Sequence, residues 1–197
     1  NVPSPILTQR PDDWTDFRMT SDEDRIPLFF KTRPDESVPD LHFEKAGARE
    51  KIYREGGQTT AAIVTCGGLC PGLNDVIRGL VLTLWYGYGV RTIYGIRYGY
   101  AGLTPDTPHP PVKLTLDDVE DIHKHGGTIL GTSRGPQEPA VMVECLEKLG
   151  VNLLFTIGGD GTLRGASSLA REARKRELPL GIVGVPKTID NDIPLVY

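Results

Sequence analysis

The stretch Asn-Leu-Leu-Phe-Thr-Ile-Gly-Gly-Asp-Gly-Thr at residues 152–162 decides the fold class. Its first six residues form an apolar run that is typical of a strand buried on both faces. The run leads directly into a glycine-rich loop, and residues 163–176 then follow a helical pattern. A buried strand, a glycine loop and a helix in this order are the building block of a parallel sheet covered by helices.

The same alternation of strand and helix extends from this stretch in both directions. The predicted strands are residues 61–65, 90–96, 152–157 and 180–185, and the predicted helices are residues 73–84, 115–124, 139–149 and 163–176. Thr115 and Asp118 form a capping-box-like start for the second helix. The pattern predicts a doubly wound α/β fold, in which a mostly parallel, Rossmann-like sheet has helices on both faces.

Composition separates the chain into two segments. Residues 1–58 are rich in charge and proline and show no sustained apolar period, so we expect an irregular N-terminal extension. We expect residues 59–197 to form the α/β domain, with a strand-like run at residues 128–130 before one of its loops.

Overall composition excludes several classes of protein. Hydrophobic residues make up 39% of the 197-residue chain, which is enough for a packed core. A net charge of −4 argues against nucleic acid or an acidic membrane as a partner. No run approaches the roughly 18 apolar residues of a membrane helix. The three cysteines indicate no disulfide framework, so we expect a cytoplasmic protein.

Four polar or glycine-rich loops follow the predicted strands, where ligands of parallel sheets bind. They are residues 67–72, 131–135, 158–162 and 186–192. The first loop could present backbone N–H groups to an anion, although an unliganded turn is equally compatible with its sequence. Asp160 in the third loop is suited to Mg²⁺ held together with substrate phosphates, because burial of an unpaired carboxylate is costly. The alternative is that Asp160 caps a helix.

The other two loops carry cations and carboxylates. Arg134 can clamp phosphate oxygens, or it can be an ordinary surface arginine. Asp190 and Asp192 point to the same side of an extended segment, so one could act as a general base. Lys187 could neutralise a transferring phosphoryl group, whereas a solvated polar turn is the simpler interpretation of this loop alone.

Together, the loops resemble those of the phosphofructokinase family. The resemblance is carried by Gly-Gly-x-x-Pro-Gly-x-Asn at 67–74, Gly-Gly-Asp-Gly-Thr at 158–162 and Pro-Lys-Thr-Ile-Asp-Asn-Asp at 186–192. The long N-terminal segment is most similar to the long ATP-dependent branch known from protists and plants. The resemblance implies a Mg²⁺-assisted transfer of the γ-phosphoryl group of ATP to the 1-hydroxyl of fructose 6-phosphate in glycolysis.

The resemblance also implies roles for individual residues of a nucleotide-binding α/β domain. The nucleotide would be contacted by Gly68, Arg134, Gly135, Gly159, Asp160, Gly161 and Thr162, with Asp160 holding Mg²⁺. The sugar phosphate would be contacted by Thr188, Ile189, Asp190 and Asp192. Asp190 would take the proton from the sugar hydroxyl, and Arg134 and Lys187 would assist the transfer.

Gly161 and Lys187 bear on the phosphoryl donor. Pyrophosphate-using relatives have an aspartate at the position of Gly161, where a carboxylate would crowd and repel the α-phosphate of ATP. Lys187 is itself typical of the pyrophosphate enzymes, and the mixed pair matches the long ATP-dependent branch. We predict ATP as the donor, with pyrophosphate as the alternative.

Two further alternatives remain open. NAD and lipid kinases share the Gly-Gly-Asp-Gly-Thr run but do not resemble the loop at 186–192. A nucleotide-binding module without catalysis is the third reading, because members of the resembled family extend well beyond Tyr197. We therefore expect this chain to be an N-terminal part that turns over little alone, and we expect a homo-oligomer, either a tetramer or a dimer.

Overall fold

The computed structural model describes residues 2–7, 19–27 and 42–191. The chain divides into two compact units, one formed by residues 1–55 and 190–197 and the other by residues 56–189. Among the described residues, no helix combines the length and the apolar character needed to cross a membrane.

The described residues of the first unit are mostly irregular, as expected for the N-terminal extension. Its short strands are β1 (Val2–Pro3), β2 (Arg25–Pro27), β3 (His42–Glu44) and β4 (Lys51–Ile52), and β1 pairs with β4 and β2 with β3, both antiparallel. The Arg49 guanidinium donates hydrogen bonds to the carbonyls of Ser21 and Lys45. These bonds join the segment before β2 to the segment after β3.

The second unit is built around a five-stranded sheet. Its strands are β5 (Thr60–Thr65), β6 (Thr92–Ile96), β7 (Val112–Lys113), β8 (Leu153–Gly158) and β9 (Gly181–Pro186), in the spatial order β7-β6-β5-β8-β9. The pairs β6–β5, β5–β8 and β8–β9 are parallel, and the short edge strand β7 is antiparallel to β6. The predicted mostly parallel sheet is confirmed, and β7 is an addition that the apolar pattern did not reveal.

Helices cover both faces of this sheet, as the doubly wound prediction requires. They are α1 (Leu73–Leu82), continued by a π-helical turn to Gly87, α2 (Leu116–Val119), α3 (Pro139–Lys148) and α4 (Asp160–Lys175). Along β5, Ala61 and Ile63 pack on the side of α1, in one buried cluster with Ile77. Ala62 and Val64 face the opposite way and join the cluster of α3 and α4. A strand buried on both faces needs apolar residues at every position, which explains its continuous apolar run.

Three local predictions differ from the structure. The helix predicted over residues 115–124 is only the single turn α2, followed by a separate 3₁₀ turn at Ile122–Lys124. Its capping box is present, since Thr115 Oγ1 accepts from the Asp118 N–H and the Asp118 carboxylate accepts from the Thr115 N–H. Val119 and Ile122 are the buried anchors, and two short turns suffice to bury both of them.

The other two differences concern glycine-flanked segments. Residues 128–130 are not a strand, because the Gly131 N–H donates to the Thr128 carbonyl and closes a turn. Helix α4 begins at Asp160 and not at Leu163, since the Gly159 carbonyl already accepts from the N–H groups of Thr162 and Leu163. The residues predicted as a loop therefore divide between the end of β8 at Gly158, the N-cap Gly159 and the first helical turn, which contains Gly161.

The strand order creates a switch point between β5 and β8. From β5 the chain moves to β6 on one side, and it later returns to β8 on the other side. The loops that leave the carboxyl ends of β5 and β8 therefore diverge and leave a crevice between them. In open α/β sheets, ligands bind in such crevices.

Candidate functional site

A cleft of about 810 Å³ opens at the switch point. The predicted site residues that line it are Gly68, Arg134, Gly135, Gly159, Asp160, Gly161, Thr162 and Lys187. They come from four separate segments of the chain, which the sheet edge brings together. The sequence predicted that these segments converge, and within the second unit they do.

The first glycine loop begins at the end of β5. The Cys66 N–H donates to the Ile157 carbonyl at 2.9 Å, which ties the start of the loop to β8. Gly72 precedes α1 in a left-handed conformation with φ +87°, which favours glycine. Gly68 has an ordinary φ, but a Cβ built on it would lie 2.7 Å from Ile189 Cδ1 and 3.4 Å from Arg134 Nη2. Glycine at position 68 thus lets three segments approach one another.

The loop that carries Arg134 is fastened to β5 by hydrogen bonds from hydroxyl and backbone groups. Thr65 Oγ1 donates to the Gly131 carbonyl at 2.8 Å, and Thr132 Oγ1 donates to the Gly67 carbonyl at 2.7 Å. The Gly67 N–H donates to the Ser133 carbonyl at 3.0 Å. The backbone that leads into Arg134 is therefore fixed relative to the first glycine loop.

Tyr98 supports the same loop from the end of β6. Its N–H donates to the Leu130 carbonyl at 2.8 Å, and its ring lies over Gly131, where a Cβ would come within 2.9 Å of the ring. Tyr98 has a left-handed φ of +55°, a conformation that costs free energy for a bulky residue. His109 packs on the ring with centroids 4.0 Å apart, so this histidine is a packing residue.

Asn74 is a structural clamp that the sequence analysis did not assign. Its side chain is buried, donates to the His125 carbonyl at 3.0 Å and accepts from the Ile129 N–H at 2.9 Å. The residue holds the turn before the Arg134 loop against α1. Its place in the Gly-Gly-x-x-Pro-Gly-x-Asn motif was visible in the sequence, but only coordinates show a contact 51 residues away.

Asp160 occupies the first position of α4, and Gly159 is the N-cap. Its side chain is 88% exposed, and Asp160 Oδ2 lies 2.7 Å from Arg164 Nη2. The sequence argument from the cost of burying this carboxylate was wrong, because the carboxylate is neither buried nor unpaired. The helix-capping alternative is wrong as well, since the cap is the preceding residue.

Gly161 and Thr162 face different surroundings. A Cβ built on Gly161 meets nothing within 4 Å, so the position opens onto free space at the cleft. The Thr162 side chain is buried and hydrogen-bonds the Cys66 thiol, while its carbonyl accepts from the Tyr100 hydroxyl at 2.7 Å. Burial raises the pKa of the Cys66 thiol from 9.0 to about 11, so the thiol is protonated at neutral pH. Burial also raises the pKa of Tyr100.

The fourth segment starts at the end of β9. The Lys187 N–H donates to the Gly158 carbonyl at 3.0 Å, which places this lysine at the cleft beside the second glycine loop. Thr188 is partly buried. Ile189 is 59% exposed and lies next to Gly68. Asp190 is exposed and belongs to the first compact unit, and Asp192 lies outside the described residues.

No group of three or more His, Cys, Asp or Glu side chains suited to a metal occurs in the described part of the chain. A self-contained metal site is therefore absent there. Asp160 offers one exposed carboxylate at the start of a helix, beside glycines that leave space. This arrangement fits Mg²⁺, which is commonly held by one or two carboxylates together with substrate phosphates.

The sequence analysis missed the apolar floor of the cleft. Tyr100 and Met142 line it from beneath, and a Cβ on Gly165 would lie 2.5 Å from the Tyr100 ring. Met142 is on the buried face of α3, where its apolar spacing indicated only core packing. The signal for Tyr100 was its position in the glycine-containing segment at residues 99–102, shortly after the end of β6.

The family described as Phosphofructokinase matches residues 60–196. An ATP-dependent 6-phosphofructokinase of Borreliella burgdorferi is 54% identical over 157 residues, which cover 80% of this chain and 35% of that protein. One of Entamoeba histolytica is 57% identical over 150 residues, which cover 76% of this chain and 34% of that protein. The chain spans about a third of the length of these curated relatives.

Solved structures give the same picture for the fold. A pyrophosphate-dependent phosphofructokinase from Marinobacter aquaeolei superposes with a TM-score of 0.63 at 22% identity, covering 70% of this chain and 35% of that chain, and at this identity it shows the fold alone. A phosphofructokinase from Saccharomyces cerevisiae superposes with a TM-score of 0.58 at 29% identity, covering 68% of this chain and 20% of that chain.

Proposed function

This chain belongs to the phosphofructokinase family, and we propose that it forms the nucleotide-binding part of an ATP-dependent 6-phosphofructokinase. The reaction is transfer of the γ-phosphoryl group of MgATP to the 1-hydroxyl of fructose 6-phosphate. The observation that carries the proposal is the convergence of Gly68, Arg134, Asp160 and Lys187 on one cleft at the switch point of the sheet.

The charges of the cleft suit a polyphosphate. Its charged lining residues are the cations Arg134, Arg164 and Lys187 and the carboxylates Glu138 and Asp160, which leaves a net positive charge. The amino end of α4 adds N–H groups that lack intrahelical acceptors and the positive end of the helix dipole. A chain with a net charge of −4 thus concentrates positive charge where an anion would bind.

Asp160 would hold Mg²⁺, which neutralises phosphate charge as the phosphoryl group moves. Gly68, Gly135, Gly159 and Thr162 would shape the nucleotide site. Arg134 and Lys187 would stabilise the charge on the transferring group. These roles account for the cations and the glycines that line the cleft.

The acceptor sugar would be bound by the segment after Lys187. Thr188, Ile189 and Asp192 would contact the sugar phosphate, and Asp190 would accept the proton of the 1-hydroxyl as a general base. Catalysis would come mainly from positioning and charge neutralisation.

ATP is the proposed donor because Gly161 leaves open space at the start of α4. An aspartate there would extend a carboxylate into the cleft, where it would repel the α-phosphate. Lys187 keeps a pyrophosphate-dependent enzyme as the second candidate. A symmetric homo-oligomer, a dimer or a tetramer, in the cytoplasm completes the proposal.

The test is a donor panel on the purified protein at its full natural length. Fructose 6-phosphate is offered with MgATP, with magnesium pyrophosphate or with no donor, and fructose 1,6-bisphosphate is measured. We expect product with ATP and at least tenfold less product with pyrophosphate. Pyrophosphate lacks the α-phosphate and the nucleoside, and the loss of one charge-assisted hydrogen bond already corresponds to roughly tenfold. NAD phosphorylation without sugar phosphorylation would support the NAD-kinase reading. Calorimetric binding of MgATP without turnover would support a non-catalytic module.

A further inference from the structure

Arg164 is a cation of the cleft lining to which no individual contact has been assigned above. It lies one helical turn after Asp160 on α4, and the distance from Arg164 Nη2 to Asp160 Oδ2 is 2.7 Å. Both side chains line the cleft, and they are 80% and 88% exposed. The guanidinium thus lies at the cleft in which a donor would bind.

The ion pair is easily exchanged for another partner. Exposed ion pairs add little to stability, since water and salt screen them and two long side chains lose freedom. A Mg²⁺ ion on Asp160 would compete with the guanidinium for the charge of the same carboxylate and would repel it. The Arg164 guanidinium would then lose its partner when the metal and the donor arrive.

The position of Arg164 along α4 indicates which part of a donor it meets. Asp160, Arg164 and Ser168 follow at intervals of four residues, so they share one face of the helix, and all three line the cleft. If Asp160 binds the metal beside the terminal phosphates, the later residues face the end of the donor that is distant from the transferring group. A guanidinium binds phosphate oxygens in pairs.

We propose that Arg164 is a specificity-determining residue that binds the α-phosphate of ATP, a group that pyrophosphate lacks. This role rests on the proposed function, because it assumes a nucleotide donor. Arg164 then complements Gly161, which lies within the same turn: the glycine leaves room for the α-phosphate and the arginine supplies its counter-charge.

The test compares three competing anions on the full-length protein. Dissociation constants of MgATP, magnesium tripolyphosphate and magnesium pyrophosphate are measured by calorimetry or competition for Arg164→Gln, Arg164→Lys and the wild type. Tripolyphosphate retains a third phosphate without the nucleoside. Arg174→Gln is the matched control, because Arg174 is an exposed arginine of the same helix outside the cleft lining.

We expect Arg164→Gln to weaken MgATP and tripolyphosphate roughly tenfold, the size of a lost charge-assisted hydrogen bond, and to change pyrophosphate less than about twofold. The MgATP affinity of Arg164→Lys should lie between those of the wild type and Arg164→Gln. Lysine keeps the positive charge but loses the paired N–H groups of the guanidinium. Arg174→Gln should bind like the wild type, and circular dichroism should show all variants folded.

Two results would overturn the role of Arg164 while leaving the proposed function intact. One is unchanged binding of MgATP by Arg164→Gln, and the other is an equal loss for pyrophosphate and ATP. A wild-type protein that binds no MgATP would overturn the proposed function itself.

Discussion

Gly161 and Gly68 line the same cleft, but only Gly68 is sterically confined. A Cβ at Gly68 would meet Ile189 and Arg134, whereas a Cβ at Gly161 would meet nothing within 4 Å. A substitution at Gly161 therefore changes what the cleft can hold without disturbing the folded chain. This makes position 161 the cleaner place to test donor choice.

We expect Gly161→Asp to lower ATP affinity at least tenfold, because the new carboxylate faces the triphosphate at close range. Folding should be retained, since the site is open and acidic residues favour the first turn of a helix. Gly161→Ala is the control that adds a Cβ without charge, and it should retain ATP binding within a few fold. Unchanged ATP kinetics in Gly161→Asp would refute the steric and electrostatic argument. The measurements are ATP titrations and steady-state rates.

Cys66 links the cleft to the pH dependence of stability. Its pKa is raised from 9.0 to about 11 in the folded chain, mainly by burial. Below pH 9 the thiol is protonated in both states, and its contribution to stability is complete. Between pH 9 and 11 the unfolded chain loses this proton more readily, so stability falls as pH rises, by about 2–3 kcal/mol in total.

Urea unfolding from pH 8 to pH 11 measures this loss. Cys66→Ala should show a shallower decline than the wild type over that range, because it has no thiol to ionise. Identical pH dependence in the two proteins would show that burial of Cys66 does not control the loss.

At the scale of elements, the shape of the cleft depends on contacts between loops that side chains make. Gly68 and Ile189 form one such junction, since a Cβ at position 68 would lie 2.7 Å from Ile189 Cδ1. The Ile189 side chain thus occupies space that a side chain at position 68 would need. The junction connects the first glycine loop to the segment that leads to Asp190.

We expect Gly68→Ala to lower kcat/KM roughly tenfold or more, because the added methyl displaces Ile189 and small shifts of a positioning segment are costly. Ile189→Ala removes the clashing carbon, so the double variant should be more active than Gly68→Ala alone. If Gly68 is needed only for backbone approach to a phosphate, the second substitution gives no recovery. Values of kcat/KM for Gly68→Ala, Ile189→Ala and the double variant distinguish these two cases.

Asn74 joins α1 to the turn before Arg134. Asn74→Ala should lower the free energy of unfolding by about 2–3 kcal/mol, because it removes two hydrogen bonds of a buried side chain. Hydrogen exchange at the Ile129 amide should also become faster. Asn74→Asp is the matched control, since its oxygen still accepts from Ile129 while the donor to His125 is lost. Equal acceleration of exchange in both variants would contradict this assignment.

Sequence patterns predicted the main elements well and their connections less well. The short apolar run of β8, which ends at a glycine pair, is typical of a strand buried on both faces, and it indicated the sheet correctly. Asp160 and Gly161 carry a loop-like pattern, yet they are helical because the Gly159 carbonyl accepts the first N–H groups of α4. The contacts of Asn74 and Tyr98 depend on residues far along the chain, and one sequence holds no signal for such pairs.

At the scale of the whole second unit, the cleft joins two halves of the sheet. The Gly68 loop follows β5, and the Asp160 helix follows β8. A ligand that spans the switch point therefore links loops that leave the sheet in different directions. Binding should stabilise the unit as a whole and should not order a single loop.

We expect MgATP at about one hundred times its dissociation constant to stabilise the protein by about 2.7 kcal/mol, a shift in Tm of roughly 5–10 °C. Hydrogen exchange should slow together in the loops around Gly68, Arg134 and Gly161, because one molecule contacts all three. Gly161→Asp should reduce both effects at the same ATP concentration, with a stabilisation of about 1.4 kcal/mol or less, because tenfold weaker binding leaves ATP at no more than about ten times its dissociation constant. Its Tm without ligand should equal that of the wild type. Protection confined to one loop would mean that the convergence of these residues is a feature of the fold and not a binding site, and it would remove the main support for a phosphoryl donor at the switch point.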